Sequence, residues 1–296
     1  FAATATEVGD ALWRGATPPS GPTASREEAA TALAQGAAAR ARFGHYLGAM
    51  FYFEGEWHWG VDRLHHLEAR LGALGLDREP GRPLIAPFLR EDLRRTGGAD
   101  GSTIEYWFSF RSPYSYVALQ RVAALAVNYG AQLRLRFILP MVMRGLPVPL
   151  SKRLYIMRDC KREADKVGLA FGKTVDPVGV GVERAIAVLN HAIPAGRGAA
   201  FAIAAIEGAF ARGIELASEP GLAEVAQRAG VGAADVRAAL ADESWRQTAE
   251  ENRRALFEAG LWGAPTFRVN GGPAYWGQDR LWALQDDLET IAAAAG

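Results

Sequence analysis

The sequence holds a single cysteine, Cys160, among 296 residues. No intrachain disulfide, no Cys-x-x-Cys redox pair and no cysteine-built zinc cage can exist within this chain, and a reducing, cytoplasmic setting is expected. Net charge is lacking as well: 33 Lys plus Arg balance 33 Asp plus Glu, which leaves no overall positive field to draw nucleic acid or an anionic membrane. Long apolar runs are missing. Ala199 to Ala211 is interrupted by Glu207 and is too short to span a bilayer, and the first residues do not place a basic segment before an apolar one. Phe1 stands where a methionine would start a chain, so an upstream segment is expected. What is present is enough apolar side chain, 49% of residues, to bury a core of one large or two ordinary domains. The expected partner is a small molecule or a protein, not nucleic acid or membrane.

Residues 1–30 are rich in Ala, Gly, Pro, Ser and Thr, with a short helical pattern around Asp10 to Arg14 and a break from Pro18 to Pro22. Arg26 to Arg42 reads as an Ala-rich helix. Met50 to Phe53 and Glu56 to Trp59 are short aromatic runs on either side of Glu54-Gly55, the pattern of a β-hairpin. Val61 to Leu74 returns to helical spacing. Residues 81–102, with Arg90 to Arg95 and Gly97-Gly98, read as a linker. A second unit opens at Thr103 with a strand to about Phe110, a helix from Tyr114 to about Tyr129 and an alternating strand from Gln132 to Phe137, a βαβ unit. After a Pro140 to Pro149 loop, helical periodicity covers Lys152 to Ala170, Val182 to His191, Ala199 to Gly213, Pro220 to Ala229, Ala233 to Ala241 and Glu243 to Ala259. Ser218 and Asp242 are placed as N-caps, and Gly213, Gly230 and Gly260 as stops. A strand from Pro265 to Val269, a Gly271-Gly272 turn, a strand from Ala274 to Trp276 and a helix from about Asp279 close the chain.

An internal repeat alters the reading of the first segment. Gly44, Phe51, Gly55, Trp59-Gly60, Asp62-Arg63-Leu64 and Leu67 reappear in order as Gly260, Phe267, Gly271, Trp276-Gly277, Asp279-Arg280-Leu281 and Leu284, with one single-residue gap in the hairpin. Residues 1–80 therefore read as the second half of a domain related to 103–296, without its βαβ half. Ala49 stands where the later copy has Pro265. A cis peptide is not expected before a non-proline residue, so the first copy reads as a packing partner.

The chemistry is expected at the turn within Phe108 to Tyr116, where a strand hands over to a helix and leaves backbone N–H groups unpaired beside Ser112. An anion such as a thiolate would be stabilised there. The order βαβ, helical insertion (about 151–258) and ββα resembles the thioredoxin fold with a DsbA-like helical insertion, over 103–296. Ser112-Pro113-Tyr114-Ser115 occupies the place of the Cys-Pro-x-Cys site of its redox members, and Ala264-Pro265-Thr266 that of the segment facing it. Both cysteine positions are serine, which excludes thiol–disulfide exchange by this domain alone.

Within that fold, Phe110 to Tyr116, Ser151-Lys152 with Leu154-Tyr155 and Asp159, Gly263 to Phe267, and Trp276-Gly277-Gln278-Asp279-Arg280 together resemble 2-hydroxychromene-2-carboxylate isomerase and kappa-class glutathione transferase. The resemblance implies a glutathione-dependent isomerase acting on an unsaturated aromatic acid or similar electrophile, with conjugation by a transferase, or a degenerate non-catalytic binding module, as alternatives. It implies Ser112 as the group that hydrogen-bonds the glutathione sulfur, a cis peptide at Ala264–Pro265 that pairs with the cysteinyl backbone, Lys152 for the glycine carboxylate, and Gln278 and Asp279 for the γ-glutamyl end. Tyr114, Ser115, Leu146 and Trp276 would line the pocket. Leu146 departs from the family, where an asparagine is usual, and puts the chromene reaction in doubt more than glutathione binding. The first copy would pack on the main domain as a second subunit does, or the chain would form a homodimer.

Blander roles stand beside these. Ser112 alone reads as a helix cap, Lys152 as solvated surface, Asp279 as a capping carboxylate and Cys160 as a structural thiol. His65 and His66 are adjacent on a helix and expected to point apart, and with His58 they do not suggest a metal site.

Overall fold

In the computed structural model, residues 2–21, 24–89, 91 and 97–295 are described. Pro22 and all of the expected Arg90 to Arg95 linker motif except Glu91 lie outside them. Two compact units divide between Ala49 and Met50. The first holds α1 (Ala2–Trp13) and α2 (Arg26–Arg42). α2 starts at Ser25, whose side chain accepts from the Glu28 N–H while Glu28 accepts from the Ser25 N–H, a reciprocal cap that fixes the predicted start. α1 begins well before the pattern around Asp10, because its alanines favour a helix without an apolar stripe to announce it.

The second unit opens with β1 (Met50–Phe53), β2 (Glu56–Trp59), a 3₁₀ turn over Val61–Arg63 and α3 (Leu64–Ala73). There follow β3 (Thr103–Phe108), α4 (Pro113–Tyr129), β4 (Gln132–Phe137) and α5 (Leu150–Lys166). The insertion continues through α6 (Val180–Ala192), α7 (Gly198–Glu207), α8 (Glu219–Arg228), α9 (Ala233–Ala241) and α10 (Trp245–Glu258). β5 (Thr266–Val269), β6 (Tyr275–Trp276), a 3₁₀ turn over Gln278–Arg280 and α11 (Leu281–Ala295) complete it. The described helices include none long and apolar enough to cross a membrane.

The larger sheet has the order β4-β3-β5-β6, with β3 and β4 parallel and β5 antiparallel to both β3 and β6. β3 is its middle, and Ile104 to Phe108 are all buried, as a strand covered on both faces must be. Side chains alternate between faces. Ile104, Tyr106 and Phe108 enter the main core with residues of α4, α6, α7 and α11, while Trp107 packs with Ile138 and Leu256 in a smaller one. Glu105 lies on the Trp107 side, where Arg136 and Arg268 pair with it and stack their guanidinium groups over the Trp107 ring. Register across the sheet fixes where β3 ends, and hence where Ser112 stands relative to the start of β5.

Two predicted boundaries shift. The helix after Ala199 ends in a π turn over Gly208–Arg212 before Gly213 (φ 72°) stops it. Asp242 does not cap the last insertion helix: it accepts from the Ser244 N–H at 2.9 Å and from the Ser244 hydroxyl, which makes a turn and delays α10 to Trp245. Ser218 caps α8 as predicted, accepting from the Gly221 N–H.

Candidate active site

Ser112 is the N-cap of α4 and Pro113 its first residue. The Ser112 hydroxyl oxygen accepts from the Ser115 N–H at 3.2 Å, and its proton points to the carbonyl oxygen of Ala264 at 3.4 Å. The same hydroxyl caps the helix and faces the peptide before Pro265, which is cis. With the donor bond to Ala264 this long, the hydroxyl is free to turn toward a better acceptor. Ser115 is fully buried, and its hydroxyl sits 3.4 Å from the Ser109 N–H while its carbonyl accepts from the Tyr106 hydroxyl. It holds the strand-to-helix turn from inside.

Opposite Ser112, Gly263 has no room for a side chain, because a Cβ there would overlap the Trp276 ring. Trp276 meets Trp262 edge-on, ring centres 4.9 Å apart, and remains 43% exposed. An aromatic wall thus stands open beside the cis peptide. Leu146 is partly exposed on the loop after the 3₁₀ turn Met141–Arg144. Lys152, in the first turn of α5, is half-buried with its Nζ 4.0 Å from the Met141 sulfur, and burial lowers its pKa. Arg144, absent from the sequence-based set, donates to the Trp262 carbonyl at 3.3 Å and pairs with no carboxylate among the described residues, and burial lowers its pKa too. Desolvated cations gain more from an arriving anion than hydrated ones do.

Gln278 and Asp279 are differently placed from Ser112. Gln278 is buried, its Oε1 accepting from Arg121 at 2.8 Å and its Nε2 donating to Glu163. Asp279 accepts from Arg63 of the N-terminal turn at 2.7 Å. Arg63, also unpredicted, is fully buried at the centre of a carboxylate cluster: its Nε lies 2.9 Å from Asp159 and 3.4 Å from Glu163. Burial opposes its charge, but Asp159, Glu163 and Asp279 outweigh that and hold its pKa well above the ordinary value. Asp159 also accepts from the Tyr114 hydroxyl at 2.7 Å and from Arg162 at 2.9 Å. Tyr114, two residues from Ser112, is thereby tied through Asp159 to Arg63. Burial raises the Glu163 carboxyl, yet hydrogen bonds and charge from His66 and Arg63 bring it down to about 2. Cys160 beside it is buried, and burial, then the Asp159 charge, push its thiol well up, the opposite of a reactive thiolate.

The signal for Arg63 lay in the sequence match between the two segments. Asp62-Arg63 matches Asp279-Arg280, and the two pairs cross: Arg63 binds Asp279, and Arg280 binds Asp62 through two hydrogen bonds of 2.7 and 2.8 Å. The histidine expectation is corrected. The His65 and His66 rings converge, centres 4.0 Å apart, because Glu163 of α5 faces the gap between them and the His66 Nε2 reaches it at 2.7 Å.

A family model for the DSBA-like thioredoxin domain matches residues 103–289. The chain belongs to this family. Its fold is the DsbA-like thioredoxin fold, and the matched span holds the Ser112 turn, the cis proline and the whole helical insertion. A curated relative, 2-hydroxychromene-2-carboxylate isomerase of Pseudomonas putida, is 27% identical over 198 residues, 62% of this chain and 93% of that protein. A solved 2-hydroxychromene-2-carboxylate isomerase has a TM-score of 0.56 at 22% identity, over 65% of this chain and 97% of its own. The cytosolic disulfide reductase DsbM from Pseudomonas aeruginosa has a TM-score of 0.52 at 23% identity, over 65% and 97%. Both structures share the fold with this chain.

Proposed function

We propose that the protein is a glutathione-dependent isomerase of the 2-hydroxychromene-2-carboxylate type, acting on an unsaturated aromatic acid or related electrophile. The observation that carries this reading is Ser112: a hydroxyl at a helix N-terminus, 3.4 Å from the peptide before a cis proline, in a domain whose two redox positions are both serine. Any sulfur must arrive with the ligand. The helix end and the Ser112 hydroxyl favour its thiolate. The thiolate adds to the conjugated system and forms a C–S bond, the former double bond rotates, and elimination breaks the C–S bond and restores the thiolate. Trp276 and Trp262 offer a flat wall for an aromatic substrate, and Arg144 with Lys152 supplies charge for a carboxylate.

For glutathione itself, Ala264 supplies the backbone edge and Asp279, still partly exposed, the partner of the γ-glutamyl ammonium. The Gln278 side chain is buried and already engaged with Arg121 and Glu163, so we read it as holding the floor under Asp279. Turnover of a cis-configured aromatic enoic acid should require glutathione and leave its concentration unchanged; steady consumption of glutathione indicates conjugation instead.

Residues 1–80 we read as half of a related domain. In both hairpins the register agrees, Met50 opposite Trp59 and Phe51 opposite His58 in the first, Thr266 opposite Trp276 and Phe267 opposite Tyr275 in the second. The crossed Asp–Arg pairs have the reciprocity of a contact between two copies, so the β1–β2–α3 segment takes the place of a second subunit.

A further inference from the structure

His65 and His66 have no counterpart in the second hairpin–helix segment, where the matching positions are Trp282 and Ala283. Both face Glu163, four residues after Asp159 on α5. A ring nitrogen of each histidine and a Glu163 carboxylate oxygen lie within 4.8 Å of one another, and the Nε2 atoms of His66 and His65 are 2.7 Å and 3.9 Å from one Glu163 oxygen. The His65 side chain is 4% exposed, and its Nε2 has no hydrogen-bond partner among the described residues. A polar atom held away from water and aimed at a carboxylate it does not reach is a place for something more.

We propose that His65, His66 and Glu163 bind one divalent transition-metal ion of the zinc class, joining α3 to α5. Two imidazoles and one carboxylate are a donor set that zinc, cobalt and nickel accept. Nitrogen–oxygen gaps of 2.7 and 3.9 Å bracket the separation of about 3.4 Å that ligands at about 2.1 Å from a tetrahedral ion show. The ion takes the lone pair of the His65 Nε2 and replaces the hydrogen between His66 and Glu163, with the His66 proton carried on Nδ1. The main opposing charge is Arg63, 3.4 Å from Glu163, but Asp159 and Asp279 flank that guanidinium and neutralise it. Lys166 adds a weaker repulsion at His65. A chain with one cysteine cannot tie these helices by a disulfide, and a metal ion supplies the link by other means.

The test uses the full chain, free of affinity tags and stripped with a chelator. Zinc chloride titrated by calorimetry should bind at one ion per chain and raise Tm, and cobalt should give a visible d–d spectrum with the same stoichiometry. His65→Phe, which restores an aromatic ring as at Trp282 and sits beside Phe88, should weaken zinc binding by at least about tenfold with an unchanged circular dichroism spectrum. His66→Ala, the residue of the other copy, should do the same and guards against misfolding of the first variant. Absence of zinc binding at millimolar metal overturns the site, as does native affinity in both folded variants.

Discussion

The two hairpin–helix segments of the second unit, 50–73 and 266–295, have the same strand register and the same 3₁₀ turn before the helix, yet do different work. The later one begins at a cis proline opposite Ser112; the earlier one follows Ala49, without such a peptide. Where the later segment packs Trp276 against Trp262, the earlier one sends Arg63 to the buried carboxylates of α5. The difference shows that a turn–helix sequence as short as Trp-Gly-x-Asp-Arg-Leu specifies its own shape, while its role depends on what it is packed against.

The largest expected effect comes from breaking the buried half of the crossed pairs. Arg63→Ala leaves Asp159 and Glu163 buried without their central cation and should cost about 3–5 kcal/mol in denaturant unfolding. Arg280→Ala removes the residue at the aligned position of the later segment, whose side chain is 34% exposed, and should cost no more than about 1 kcal/mol. Equal costs would refute the asymmetry between the two segments. Next is Gly263→Ala, which pushes on Trp276 and should cost about 1–3 kcal/mol; Gly48→Ala, beside the Ala49 that aligns with Pro265, meets nothing within 4 Å and should leave stability nearly unchanged.

Acid should separate the segments in two steps. Burial lowers the pKa of His58 and His65 from 6.5 to about 4, and Glu163 is lowered from 4.5 to about 2. All three are depressed in the folded state, so their stabilisation is complete above the unfolded pKa and lost as pH falls. The histidine contribution should fade from about pH 6.5 to 4, and that of Glu163 from about 4.5 to 2. Unfolding free energy measured against pH should lose part of the upper window in His65→Phe and keep the lower one. An upper window of unchanged depth in that variant removes His65 from the account.

Much of this was legible before any coordinates. β1, β2 and β4 have the predicted bounds because aromatic alternation and short turns leave little choice, and α2 does because Ser25 and Glu28 cap it. The helix start at Ser112 was expected because a serine followed by proline announces itself locally, and the structure has Ser112 as the N-cap. Arg63, Asp159 and Glu163 come together across roughly a hundred positions of sequence, and no periodicity encodes that meeting. Arg144 was passed over for a similar reason: in sequence it is one more loop cation, and only its burial against Trp262 without a carboxylate singles it out. The His65–His66 convergence required knowing what α3 faces.

A modest effect on stability and the largest on chemistry should come from Ser112→Ala. As an N-cap it should cost about 0.5–2 kcal/mol of stability, while turnover falls far more. The most direct test of the account is the pKa of the glutathione thiol when bound, followed by ultraviolet thiolate absorbance in the native protein and in Ser112→Ala. The account predicts a bound thiol that ionises well below the pKa of free glutathione, with most of that shift lost in the variant. A bound thiol that titrates like the free one, or an equal shift in Ser112→Ala, would contradict it.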